Sequence, residues 1–248
     1  MSKHRTSWFA ALAALTWSGH AFAAGNSFSA GTFAIGGERL SGFYHSSITA
    51  TQDTPFGQIK ISDTTDHFTL LTNVAGGTTG GTGTTNISSS YADIPRLGLD
   101  FFVIDGLSLG GTLGIDHTAL GSPTASGPGV NVTPQNAGGS ITTWLFSPRV
   151  GYVFMFNDSI GIWPRGGLAY YHTSVSPDQG YGSSLHFFSL DLEAPFIFAL
   201  TNGFAITAGP LFEISLDGST SSDNPNVSAS TGLSYTTFGI SVGLLGWI

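Results

Sequence analysis

Three arginines recur in the same four-residue pattern, and each needs a polar partner. The pattern Pro-Arg-x-Gly contains Arg96, Arg149 and Arg165, and each copy lies in a stretch rich in apolar side chains. A guanidinium group cannot point into hydrocarbon or a dry core without a large free-energy cost. Its fixed fork of N–H donors pairs best with carboxylates. The repeated pattern therefore predicts buried ion pairs.

Apolar stretches along the chain also supply carboxylates. They contain Glu38, Asp100, Asp116, Asp191, Glu193 and Glu213. We expect the three arginines to be shared among these six groups in one lumenal ion network. Since buried charges must be paired, the network has a structural interpretation. A gated ion or proton path and acid/base catalysis are the alternatives.

A second group of residues with chemical potential is His172-Thr173-Ser174. Two residues separated by one position project from the same side of a strand, so the imidazole could activate the hydroxyl if a carboxylate oriented the ring. The pair resembles the His-x-Ser dyad of lipid A deacylases, small barrels with an outward-facing site, and the resemblance implies a lipid-acting hydrolase. However, His45-Ser46-Ser47 has the same spacing. The alternative is an interfacial belt of amphipathic rings, comprising Tyr170, His117, His172 and His186.

These residues lie on segments of strand length. Eight such segments are predicted, at about 31–49, 91–104, 108–120, 141–156, 160–176, 184–200, 204–217 and 232–248. Tight turns are predicted at Asp105-Gly106-Leu107, Asn157-Asp158-Ser159 and Thr201-Asn202-Gly203. Longer connections span about 50–90, 121–140, 177–183 and 218–231. This alternation predicts an all-β fold, an eight-stranded antiparallel up-and-down transmembrane β-barrel with short periplasmic turns and longer extracellular loops.

Alternating polarity assigns the two faces of the strands. The residues predicted to face lipid include Trp144, Phe146, Pro148, Val150, Tyr152 and Phe154 on the fourth strand and Leu190, Leu192, Ala194, Phe196 and Phe198 on the sixth. The intervening positions, which carry the charged groups, are predicted to face the lumen. The alternation fails in the first strand, where Glu38 and Arg39 are adjacent, and this predicts a bulge near Gly36-Gly37.

The tight turns also predict the pairing between strands. The expected opposite pairs are Arg149 with Gly167, Arg165 with Gly151, Arg96 with Asp116, and Asp191 with Glu213. An eight-stranded barrel is just wide enough for side chains. A glycine opposite an arginine therefore supplies room for the guanidinium.

The connection at 50–90 contains two strand-like pieces. Gln58 to Ser62 and His67 to Asn73 are separated by Asp63 to Asp66. Each piece is shorter than the ~9–11 residues that span a membrane. We therefore predict an extracellular hairpin, with a ten-stranded barrel as the alternative.

The N-terminus and the composition limit the functions open to the chain. Residues 1–23 have the basic start, the apolar segment and the Ala21-Phe22-Ala23 end of a signal peptide, which leaves 24–248 as the barrel domain. Without this leader, five basic side chains stand against fifteen acidic ones, a formal charge of −10, so nucleic acid is an implausible partner. There are no cysteines, so no disulfide or thiolate metal site is expected. No cofactor and no metal is predicted.

The leader, the eight strands with alternating turn and loop lengths, and a last strand apolar at every second position resemble the small outer-membrane barrels of the OmpA/OmpX type. The chain departs from that pattern at Ile248, where a terminal Phe is usual, and at Gly246. The resemblance implies the cell outer membrane, contact with its lipid and lipopolysaccharide, and a monomer. The expected function is a structural or surface-interaction role through the loops, where an extracellular ligand or protein could bind. A narrow channel and a lipid-acting hydrolase are the alternatives.

Overall fold

The computed structural model describes residues 28–54, 57–70, 91, 94–120, 138–178, 180–224 and 231–248. The predicted signal peptide, 1–23, lies outside these residues. The strand segments are β1 (Phe33–Thr54), β2 (Gly57–Leu70), β3 (Arg96–Ile104), β4 (Leu107–Leu120), β5 (Gly139–Tyr152), β6 (Phe154–Met155), β7 (Ile160–Ile162), β8 (Arg165–Pro177), β9 (Ser183–Glu193), β10 (Phe196–Thr201), β11 (Phe204–Ser222) and β12 (Thr231–Trp247). In this part of the chain, no helix has the length and apolarity needed to cross a membrane.

The segments form a closed, eight-stranded antiparallel barrel, as predicted. β5 with β6, β7 with β8, and β9 with β10 each form one strand of the barrel wall. The wall closes because β12 pairs with both β11 and β1. The interruptions after β7 and β9 contain Pro164 and Pro195, which lack an N–H for the ladder. Backbone bonds from neighbouring strands cross these gaps, as Tyr152 N–H donates to the Pro164 carbonyl at 2.9 Å.

The irregularity predicted in the first strand is a bulge in β1. Gly37 pairs with Leu244 and Ser41 with Val242, so residues 38–40 lie opposite the single residue Gly243. Arg39 has φ of 53°, a left-handed conformation that is uncommon for a residue other than glycine. Two extra residues preserve the alternation beyond the bulge while both Glu38 and Arg39 are buried. The bulge thus places two adjacent charged side chains inside the barrel.

The prediction of two short pieces within 50–90 was wrong. β2 is one strand from Gly57 to Leu70 that runs through Asp63 to Asp66, and it pairs with β1 from Ser41↔Leu70 to Thr54↔Gly57. The reason is the length of β1, which at 22 residues reaches about 70 Å at roughly 3.3 Å per residue. Its first part pairs with β3 and its second part with β2. β2 thus extends the wall beyond β3, and the described barrel has eight strands around its circumference.

Side-chain exposure confirms the two predicted faces. Trp144, Phe146 and Val150 are 42%, 49% and 48% exposed, whereas Leu145 between them is 1% exposed. The same alternation continues through β9, β11 and β12. The barrel is therefore apolar outside and closely packed inside.

A buried ion network in the barrel lumen

Four arginines and five carboxylates meet inside the barrel. The network comprises Arg39, Arg96, Arg149 and Arg165 with Glu38, Asp100, Asp191, Glu193 and Glu213. No side chain in it is more than 7% exposed. Buried charges at this density require nearly complete pairing, because desolvation of each ion costs several kcal/mol.

Arg39 links three carboxylates that project from β9 and β11. Its guanidinium donates to Asp191 at 2.8 Å, to Glu193 at 2.6 Å and to Glu213 at 3.1 Å. Arg96 reaches two of the same groups, Asp191 at 2.7 Å and Glu213 at 3.3 Å. The facing carboxylates Asp191 and Glu213 are thus held together by two shared guanidiniums.

The other two arginines bind nearer the tight turns. Arg149 donates to both oxygens of Glu38 at 2.7 Å and to Asp100 at 2.5 Å. Arg165 donates to Glu38 and to Glu193, each at 2.8 Å. Glu193 therefore connects this pair of arginines to Arg39, and the nine groups form one network.

In the pairing of β5 with β8, each arginine of the Pro-Arg-x-Gly pattern lies opposite a glycine. Arg149 lies opposite Gly167 and Arg165 opposite Gly151, which are the predicted pairs. Asp191 also lies opposite Glu213, as the turn at Asn202-Gly203 requires. The positions follow from the sequence because these turns set the register over the whole hairpin.

The predicted pair of Arg96 with Asp116 was wrong. Arg96 lies opposite Gly114, and Asp116 lies opposite Thr143 on β5. The turn contains only Asp105-Gly106, and the register shifts between Phe102 and Ile104, which moves the pairing by two residues. Thr118 Oγ1, two residues further along β4, donates to Asp116 at 3.5 Å.

Arg39 is a member of the network that was not predicted from the sequence. Strict alternation from Glu38 places Arg39 on the lipid side, and only the bulge turns it inward. Two adjacent charges beside Gly36-Gly37 were the available signal. Neither the width of the bulge nor its effect on the direction of Arg39 follows from that signal.

Apolar clusters lie on both sides of the network. The cluster at the tight-turn end of the barrel, here the turn end, contains Phe28, Phe102, Val153, Trp163, Ile197 and Leu245. The cluster at the opposite, loop end contains Tyr44, Tyr91, Leu145, Tyr171, Phe187 and Tyr235. Tyr91 is 0% exposed and makes edge contacts with three of these rings, at centroid distances of 4.8 to 5.7 Å. The interior is therefore filled in three successive layers.

The two residues of the predicted dyad lie on the outward face of β8. Cross-strand neighbours of His172 are Trp144 and His186, and those of Ser174 are Thr142 and Ser184. In the described part of the chain no hydrogen bond joins His172 to Ser174. The imidazole that does contact a serine is His186, whose Nε2 lies 3.1 Å from Ser219 Oγ.

An antiparallel barrel that closes on itself, with apolar side chains outside and a charged interior, is the architecture of an outer-membrane β-barrel. The protein is such a barrel, located in the cell outer membrane. No protein-family model and no curated protein matches the chain.

Solved structures with similar architecture include OprG from Pseudomonas aeruginosa, at 12% identity over 88% of this chain and 96% of that one, with a TM-score of 0.47. Neisserial surface protein A is 10% identical over 87% of this chain and 98% of its own, with a TM-score of 0.42. Ail from Yersinia pestis, crystallised with a heparin analogue, is 12% identical over 86% of this chain and 99% of its own, with a TM-score of 0.36. At these sequence identities and TM-scores, no function is transferred from these proteins to this chain.

Proposed function

We propose that this chain is a non-conducting outer-membrane barrel that acts through its loop end and its outer face, as a structural or surface-interaction protein. The observation that supports this most directly is the three-layer filling of the lumen. A solute crossing the barrel would have to displace an apolar cluster, then an ion network in which every charged side chain has an oppositely charged partner, then a second apolar cluster. Each displacement exposes buried groups, so a narrow channel is disfavoured.

The lengths of the strands support a role at the loop end. β1 has 22 residues, β11 has 19 and β12 has 17, against 9 for β3. A membrane-spanning strand needs only ~9–11 residues. Together with β2, these strands form a sheet that extends beyond the apolar belt. Such a sheet offers backbone and side-chain surface to a partner outside the membrane.

We expect the purified barrel to give no stable unitary conductance in planar bilayers, because its lumen is filled along its length. Unitary steps whose amplitude shifts in Arg149→Ala would contradict the proposal, since that variant alters only the lumenal side. Val150→Ala is the matched control, because Val150 is the adjacent residue and faces lipid. Steps that are unchanged in both variants would come from a contaminating porin.

We also expect no release of fatty acid from lipopolysaccharide. The outward contact between His186 and Ser219 has the distance of a base and nucleophile, but the other ring nitrogen of His186 has no carboxylate partner among the described residues. Release that is lost in Ser174→Ala would establish the predicted hydrolase dyad, release that is lost only in Ser219→Ala would place the nucleophile beside His186, and either result would overturn this expectation.

A further inference from the structure

Three chemically distinct rows cross the outward face of β5, β8, β9 and β11. The row nearest the middle of the apolar belt contains Phe146, Tyr170 and Phe188, with Asp217 opposite Phe188 on β11. The next row toward the loop end contains Trp144, His172, His186 and Ser219. The third row contains Thr142, Ser174, Ser184 and Ser221. On β5, β8 and β9 the surface thus changes from apolar, through indole and imidazole rings, to hydroxyl groups over four residues of strand.

This order matches the layers of a lipid at the membrane boundary. Phe146 and Phe188 are each 49% exposed and belong to the belt that contacts acyl chains. Two residues further along each strand, Trp144 and the two imidazoles have the amphipathic character typical of the headgroup level. The hydroxyls beyond them are hydrogen-bond donors for a phosphate oxygen.

Permanent positive charge is missing from this face. The side chains of all four arginines of the described chain are buried in the lumen, and Lys60 lies on β2, which pairs with β1 on another part of the wall. His172 and His186, directly opposite each other on β8 and β9, are therefore the groups on the face that can become cationic. Imidazoles ordinarily titrate between pH 5 and 8.

We propose that this face binds the anionic phosphate headgroup of a membrane lipid, held by His172 and His186 in their protonated forms. Two adjacent imidazolium groups repel each other, and a phosphate between them replaces this repulsion with two charge-assisted hydrogen bonds. Ser174 and the Ser184–Ser221 pair, whose hydroxyl oxygens lie 2.8 Å apart, donate to the remaining phosphate oxygens, whereas Thr142 Oγ1 is bonded to His117 Nδ1 on β4 at 2.8 Å. The acyl chains lie on the row of Phe146, Tyr170 and Phe188. Headgroup binding and protonation are therefore linked.

The neighbouring groups are compatible with this linkage. Trp144 on β5 flanks His172 with ring centroids 5.5 Å apart, and Ser219 on β11 flanks His186. The outward face of the four strands carries one carboxylate within its strands, Asp217, opposite Phe188. It lies two residues from Ser219, the cross-strand neighbour of His186, and the cross-strand neighbours of His172 are Trp144 and His186. By contrast, the imidazole of His45 on β1 lies 2.5 Å from the carboxylate of Asp66.

The test measures lipid selectivity of the full barrel reconstituted in phosphatidylcholine vesicles. Spin-labelled phosphatidylglycerol and spin-labelled phosphatidylcholine report, by electron spin resonance, the relative association of each lipid with the protein at pH 5.5 and pH 8 in parallel samples. The phosphodiester keeps a single negative charge over this range, so a change in selectivity originates in the protein. We expect selectivity for phosphatidylglycerol to be about fivefold higher at the lower pH, the attraction of roughly one basic group at a charged surface.

Three variants distinguish the proposed site from general membrane electrostatics. The pH-dependent selectivity should disappear in the double variant His172→Gln/His186→Gln and should persist in His45→Gln, whose imidazole already has a carboxylate partner. In His172→Lys/His186→Lys, selectivity should be high at both pH values. Heat-modifiable migration on gels verifies that each variant is folded. Equal selectivity at the two pH values in the unmodified protein, or persistence in the glutamine double variant, would overturn the proposal.

Discussion

Replacing Arg39 with methionine will lower the free energy of unfolding of the barrel by about 3–5 kcal/mol, the typical result of removing one partner from a buried ion pair. Arg39 is 1% exposed and donates to Asp191, Glu193 and Glu213. Without it, Glu213 and Asp191 keep only the shared Arg96, and negative charge remains buried and undercompensated. The loss should be seen as a lower midpoint in urea titrations of the barrel in detergent micelles, followed by tryptophan fluorescence.

The choice of methionine separates the effect of losing the charge from any change in backbone strain. Methionine has a side chain of similar length and would occupy the same left-handed conformation at φ of 53°. Combining Arg39→Met with Glu213→Gln removes one of the unpaired negative charges, so the double variant should recover part of the lost stability. A loss below about 1 kcal/mol, the size typical of an exposed ion pair, would show that Arg39 is not essential to the network. Failure of Glu213→Gln to recover any stability would show that the loss comes from packing alone.

The fold and much of the network were predictable because alternation and turns are local properties. The lipid-facing set around Trp144 and Phe146 follows from polarity with a period of two, which the pleat of a strand imposes. The pairs Arg149 with Gly167 and Asp191 with Glu213 follow because their turns preserve the register. These predictions need only the sequence near each turn.

The predictions for Arg39, for the partner of Arg96 and for β2 failed because pairing there depends on irregularities or on distant strands. Arg39 enters the lumen through a bulge whose width is set by its pairing with β12, some 200 residues away in the sequence. The shift between Phe102 and Ile104 displaced Arg96 from Asp116 to Gly114. β2 forms as one strand because the extended β1 provides a partner along its whole length, although Asp63 to Asp66 looks like a turn in isolation. No distinctive local sequence marks the width of a bulge, a register shift or pairing with a distant strand.

Gly167→Ala should destabilise the barrel by about 1–3 kcal/mol, the usual cost of adding a methyl group to a well-packed interior. A Cβ at Gly167 would lie 2.9 Å from Cβ and 3.1 Å from Cα of Arg149, and would also overlap the Pro148 carbonyl oxygen. These are atoms at or beside the backbone of the paired strand, so they cannot rotate away. The variant should therefore push β5 from β8 at the point where Arg149 binds Glu38 and Asp100. Urea unfolding with heat-modifiable migration measures the effect.

Gly166→Ala is the matched control, because it adds the same methyl group one residue earlier on the opposite face of β8. There the new Cβ would lie 3.0 Å from Cδ2 of Leu192, the end of a flexible side chain that is 44% exposed. We expect a loss smaller than about 1 kcal/mol, since that side chain can move without distorting the ladder. Equal losses of stability in the two variants would mean that glycine is needed for the backbone conformation of β8 and not for the space beside Arg149. A large effect confined to Gly167 would instead show why the pattern Pro-Arg-x-Gly recurs: an inward arginine in so narrow a barrel needs a neighbour without a side chain.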